Sequence, residues 1–194
     1  MFHRPLILAS TSPYRRELLA RLGLPFQVES PGIDEVAQAG EMPADRASRL
    51  AAAKARAVAR CHPGALVIGS DQVAALGSTV LDKPGDAARC RAQLAALAGQ
   101  GASFHTACAL VGLECGIDWT HVDTTRVVVR PLSTDEIDRY VERERPFDCA
   151  GGFKVEALGI SLFERVESHD PTALIGLPLI WLAAALRRAG LAVP

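Results

Sequence analysis

Residues 6–19 read Leu6-Ile7-Leu8-Ala9-Ser10-Thr11-Ser12-Pro13-Tyr14-Arg15-Arg16-Glu17-Leu18-Leu19. The first four form a continuous apolar run of the kind expected for a strand buried on both faces. Ser10-Thr11-Ser12 ends it. Ser12 suits a helix N-cap and Pro13 the first helical position, while Leu18, Leu19 and Leu22 make one helical face that stops at Gly23. The block predicts strand, polar turn, helix.

Working outward, Ala44 to Arg60 places Ala47, Leu50, Ala51 and Val58 at helical spacing, with Lys54 on the same apolar face, and His62-Pro63-Gly64 ends it. Residues 65–69 predict a second buried strand that delivers Ser70-Asp71-Gln72 at its C-terminal end, where open α/β sheets place ligands. Gly77-Ser78 predicts a hairpin turn. Asp86 caps a third helix through Leu97. Residues 103–113 and 119–129 predict long antiparallel strands around a turn at 115–118, and Ser133-Thr134-Asp135-Glu136 is a capping box opening a helix to about Arg143. Cys149-Ala150-Gly151-Gly152-Phe153 reads as a glycine-bearing loop, Ile160 to Val166 as a strand, and Thr172 to Arg188 as the closing helix. The expectation is one domain over residues 1–194, an α/β or α+β fold with a mixed twisted sheet and flanking helices.

Composition excludes several classes. The 194 residues are 49% hydrophobic and 22% charged, which rules out a disordered tail or a coiled coil. A net charge of −1 leaves no basic field for polymeric nucleic acid. The run Ala173 to Leu186 carries Pro178 and falls short of the roughly 20 residues of a membrane-spanning helix, and residues 5–9 are too short for a signal peptide. Five widely spaced cysteines predict neither a disulfide framework nor a zinc site, and fit a reducing, cytoplasmic setting. His3, His62, His105, His121 and His169 show no metal-ligand pairing, and neither a Walker A loop nor a nucleophile elbow is present.

The charges are more telling. Arg15 and Arg16 occupy the first turn of a helix, the positive end of its dipole, where a cation is disfavoured by about 0.3–1 kcal/mol. Either they are simply solvated, or an anion binds there, cradled by backbone N–H groups, Ser10, Ser12 and a guanidinium. Lys54 either snorkels to water or meets a negative partner. Asp71 is either a loop cap or a general base or metal ligand. Glu35 adds an acid in a Pro-Gly loop, and Lys83 a cation just before a helix. Cations for phosphates and carboxylates for a divalent ion together describe a metal-dependent phosphate-transfer site.

The block 6–19, followed in order by Asp34-Glu35, Lys54-Ala55, Ser70-Asp71-Gln72-Val73, Lys83-Pro84 and Gly151-Gly152-Phe153-Lys154-Val155-Glu156, strongly resembles the Maf nucleotide pyrophosphatase family. The likeness covers nearly the whole chain. It implies a fold related to inosine triphosphate pyrophosphatases, with a cleft between two lobes, a homodimer, and cleavage of a nucleoside triphosphate to monophosphate and pyrophosphate. Asp71 matches the family's proton acceptor. Ser10, Arg15, Glu35, Lys54 and Lys83 match its other active-site positions, with Glu35 and Asp71 as ligands of Mg²⁺ or Mn²⁺. Tyr14, Gln72 and Glu156 stand at positions of substrate choice and resemble the branch that hydrolyses 7-methyl-GTP, the alternative being the dTTP/UTP branch. Ala157 replaces a glycine usual in the family, and Tyr14 a tryptophan usual in that branch. A non-catalytic nucleotide-binding regulator of cell division, and a phosphatase or kinase using the same cradle, are the rival readings.

Overall fold

In the computed structural model, residues 4–194 are described, so His3 lies outside the described residues. Strand β1 (Leu6–Ala9) is 0–3% exposed throughout, as a continuous apolar run between two parallel neighbours should be. Those neighbours are β2 (Gln27–Glu29) and β3 (Leu66–Leu76). Helix α1 (Pro13–Ala20) begins as the sequence predicts: the Ser12 hydroxyl accepts a hydrogen bond from the Arg15 backbone N–H and Pro13 occupies the first turn.

The remaining strands pair antiparallel. A hairpin joins β3 to β4 (Thr79–Leu81), and β5 (Gly101–Gly112), β6 (Ile117–Val129) and β7 (Phe163–Glu167) extend the sheet in the order β2-β1-β3-β5-β6-β7. Helices α2 (Pro43–Cys61), α3 (Ala87–Leu97), α4 (Thr134–Glu144) and α5 (Leu179–Arg188) flank it. Asp86 caps α3, and Ser133 with Glu136 forms the capping box of α4. Among the described residues no helix is long and apolar enough to cross a membrane.

The long strands serve two lobes. Near one end Leu66, Ile68, Leu110 and Cys108 pack with α1 and α5. Toward the other, Ala74, Phe104 and Val127 pack with α3, α4 and Phe153. Because β3 and β5 run through both cores, a residue midway along β3 faces the gap between them.

Three expectations need correction. Asp71 does not end a strand: β3 continues to Leu76 because β5 pairs with it from Val67 through Ala75, and Asp71 lies opposite Ala107 in mid-ladder. The closing helix does not start at Thr172. Residues 172–176 turn back on themselves, with the Thr172 carbonyl accepting from Ile175 and Gly176 N–H groups, and α5 starts only after Pro178, which stands at its N-cap. The segment Ile160–Val166 is half strand. Its first part belongs to a short 3₁₀ turn at Leu158–Leu162, and pairing with β6 begins at Phe163.

Helix α2 lies unusually close to β3, and the small residues at the contact explain it. A Cβ on Gly69 would collide with the Ala51 carbonyl oxygen and lie 2.7 Å from the Ala55 nitrogen. Gly69→Ala must therefore push α2 off the sheet, and it is expected to destabilise the protein by about 1–3 kcal/mol. Urea unfolding measures this; an unchanged midpoint would contradict the tight contact.

Candidate active site

The close approach of α2 to β3 sets the central feature. Lys54 sits beside the Ala51 and Ala55 contacts, and Asp71 lies two residues beyond Gly69 on the same face of β3. Lys54 Nζ is 2.6 Å from Asp71 Oδ1 and 2.7 Å from Glu35 Oε1. The Lys54 and Asp71 side chains are 6% and 9% exposed, whereas Glu35 is 53% exposed. Lys54 thus meets negative partners instead of snorkelling.

These groups line a cleft of about 580 Å³ between the lobes. Ser10, Ser12, Tyr14, Arg15, Gln72, Lys83 and Glu156 line it too, so every residue singled out from the sequence but Arg16 reaches one cavity. Arg16 is exposed and absent from the lining. One residue further along α1 turns it about 100° away from Arg15, which corrects its placement among the phosphate ligands.

Arg15 is held from two sides. Its Nε donates to the Gly176 carbonyl at 3.0 Å and its Nη1 to Ser10 Oγ at 3.5 Å. Burial pushes the guanidinium pKa down, and the carboxylates of Asp71 and Glu35 oppose that. Burial also acts most strongly on Glu35, in the upward direction. The hydrogen bond from Lys54, with the charges of Lys54, Arg15 and Lys83, outweighs it and holds the carboxyl below its ordinary value. Glu35 is therefore ionised at neutral pH, and that contribution is lost only as the pH falls through its lowered value.

Ser10 and Ser12 are already used as acceptors, by the Ser12 and Arg15 N–H groups respectively. Their hydroxyl protons stay available to a phosphate oxygen. Gln72 projects from the opposite face of β3 to Asp71. Its amide nitrogen donates toward Thr106 Oγ1, Ala173 O and Leu174 O at 2.8–3.1 Å, which fixes the 172–176 turn as a cleft wall and leaves only its carbonyl oxygen unengaged. Ser70 Oγ donates to Gly176 O at 2.9 Å from the same face.

The glycine-bearing loop forms the far wall. Gly151 and Gly152 have φ of 77° and 72°, and a Cβ on Gly151 would lie 3.0 Å from the Phe104 ring, so glycine is required there. The loop brings Asp148 and Cys149 to the cleft, where the Tyr14 hydroxyl donates to Asp148 Oδ2 at 3.2 Å. Burial, followed by Cys149 and Asp148, pushes the Tyr14 phenol up, so it remains a proton donor. Burial first, then Asp148, raises the Cys149 thiol to about 11, which keeps it protonated and unsuited to act as a thiolate. Ala157 has φ of −132°, which any residue adopts, so the absent glycine strains nothing.

Sequence reasoning missed Arg46 and Asp148. Arg46 Nη2 donates to the Glu35 carbonyl oxygen at 3.3 Å, anchoring the Glu35 loop, and its buried Nε–H has no partner among the described residues. Asp45-Arg46 reads as an ordinary first helical turn and carries no signal of this. Asp148 was detectable only as an acid just before the double glycine.

The fold is shared with a HAM1 protein from Coxiella burnetii (TM-score 0.52, 14% identity, 96% of this chain and 100% of that one). It is shared equally with the Ham1 protein of Staphylococcus aureus (TM-score 0.53, 13% identity, the same coverage). The fold therefore places the molecule in this broad structural class. Within it the chain belongs to the family described as Maf-like protein, whose sequence profile matches residues 5–189. A relative from Xanthomonas oryzae pv. oryzae named 7-methyl-GTP pyrophosphatase is 55% identical over 97% of this chain and 98% of its own. One of the same name from Aromatoleum aromaticum is 53% identical over the full length of both.

Proposed function

We propose that this chain is a nucleoside triphosphate pyrophosphatase that hydrolyses 7-methyl-GTP to 7-methyl-GMP and pyrophosphate, as its relatives' names indicate for those proteins. The observation that carries the reaction type is Lys54 held between Asp71 and Glu35 beside a half-buried Arg15, all facing one cleft. Attack on a triphosphate needs its negative charge neutralised before a hydroxide-like nucleophile can approach. Arg15, Lys83 and the Ser10 and Ser12 hydroxyls bind and orient the phosphates. Asp71, fixed by Lys54, takes the proton of the water that attacks the α-phosphorus, and pyrophosphate leaves.

The donor set fits a small hard cation. Glu35 and Asp71 each give one oxygen to Lys54, and the second oxygen of each makes no hydrogen bond among the described residues. Among the described residues there is no group of three or more His, Cys, Asp or Glu arranged to hold a metal. Two carboxylates plus substrate phosphates and water is the usual environment of Mg²⁺. When bound, Mg²⁺ or Mn²⁺ supplies further charge neutralisation.

Glu156 carries the base assignment. It is exposed at the cleft and has no hydrogen-bond or ion-pair partner among the described residues. An ionised carboxylate matches the two donors on the guanine edge, N1–H and the 2-amino group. Tyr14 stacks on the base. The same reading carries one domain over residues 1–194, a homodimer and a cytoplasmic setting.

A substrate panel of 7-methyl-GTP, GTP, dTTP and UTP tests it. Pyrophosphate release is expected to be fastest with 7-methyl-GTP, to stop with EDTA and to return with Mg²⁺ or Mn²⁺, and Glu156→Gln should lose guanine selectivity. A preference for dTTP would move the chain to the other branch. No pyrophosphate from pure protein would favour the non-catalytic regulator.

A further inference from the structure

Glu156 separates 7-methyl-GTP from GTP only indirectly. Both present N1–H and 2-amino donors to a carboxylate, so a contact on that edge selects guanine and feels the methyl group only through the greater acidity of those donors. What the methyl group adds is a positive charge delocalised over the ring. A site that discriminates on it needs negative charge near the base together with a π face.

The cleft contains such a pair, separate from the phosphate-binding network. Arg15, Lys54 and Lys83 interact with Asp71 and Glu35. Tyr14 instead belongs with Asp148. Its hydroxyl donates to Asp148 Oδ2 at 3.2 Å, while Asp148 Oδ1 accepts from the Cys149 thiol at 3.6 Å. Asp148 makes no salt bridge among the described residues, although it is exposed and lines the cleft. The hydrogen bond does two things. It fixes the Tyr14 ring, and by donating to a carboxylate the phenol becomes richer in π density, which strengthens its attraction for a cation.

On this basis, and resting on the 7-methyl-GTP reading above, we infer that Asp148 is a specificity-determining residue: with Tyr14 it recognises the positive charge of an N7-alkylated purine, so the cleft takes cationic bases in preference to neutral ones. The two acids divide the task. Glu156 reads the hydrogen-bonding edge and Asp148 reads the ring charge. Any nucleotide with a quaternised purine and a free guanine edge belongs to the substrate class.

The test compares the products 7-methyl-GMP and GMP by calorimetry, alongside kcat/KM for the two triphosphates, in wild type, Asp148→Asn and Asp148→Glu. Asn still accepts the Tyr14 hydrogen bond, so the ring stays anchored and only the charge is lost. Asp148→Asn is expected to reduce the methylated-to-unmethylated ratio about tenfold in both measurements, and Asp148→Glu to retain it. A wild-type preference that survives unchanged in Asp148→Asn, or equal losses for both nucleotides, overturns the role of Asp148 and leaves the substrate assignment standing. A wild type with no preference for the methylated base overturns both.

Discussion

Asp71→Asn is expected to lower turnover by about a thousandfold, the range that a positioned general base contributes, while nucleotide binding is retained. The substitution is nearly isosteric. Asn Oδ1 still accepts from Lys54 Nζ, now 2.6 Å from Asp71 Oδ1, so the helix–strand contact and the other cleft-lining side chains are undisturbed. What disappears is the ability to take a proton from water. Single-turnover pyrophosphate release and calorimetric binding of a non-hydrolysable analogue separate the two effects. Unchanged turnover would remove Asp71 from the base role.

Lys54→Met has the second large effect, and it acts on folding as well as on chemistry. Removing the ammonium leaves the nearly buried Asp71 carboxylate without its counter-charge, and breaking one side of a buried pair costs about 3–5 kcal/mol. Glu35, half exposed, regains water and adds little to that loss. The lower end of the range is therefore expected, together with loss of turnover. The double variant Lys54→Met/Asp71→Asn should recover most of the stability and none of the activity, because the unpaired charge is gone but so is the base. Equal urea midpoints for wild type and Lys54→Met would mean that the ion pair contributes nothing to the fold.

The features legible in the sequence are those governed by neighbours in the chain. Ser12 and Pro13, Asp86, and the Ser133–Glu136 box all act over three or four residues, and each caps the helix expected of it. The same holds for the hairpin at Gly77-Ser78 and for Lys54 on the inner face of α2. Where the reading fell short, a distant partner decided the outcome. Residues 70–75 continue β3 because β5, 28 to 38 positions later, pairs with them. The 172–176 turn forms because Gln72 and Arg15 bond its carbonyls across separations of 101 and 161 residues.

The site was legible as a set of residue types but not as a set of contacts. Lys54, Asp71 and Glu35 were each ambiguous alone; one ammonium between two carboxylates resolves all three. Arg16 was indistinguishable from Arg15 by composition, and only the pitch of α1 turns it outward. Gln72 was assigned to the substrate, and its amide nitrogen is committed to the wall.

The Gly176 carbonyl, which receives both Arg15 Nε and Ser70 Oγ, bears on how the molecule is made. Gly176 follows Arg15 by 161 residues, so during synthesis β1, α2 and β3 are all delivered while the guanidinium still lacks that anchor. Aiming of that guanidinium then waits until Gly176 has been made, and a product terminated before it would carry Arg15 and the other cleft-lining side chains without this means to aim them.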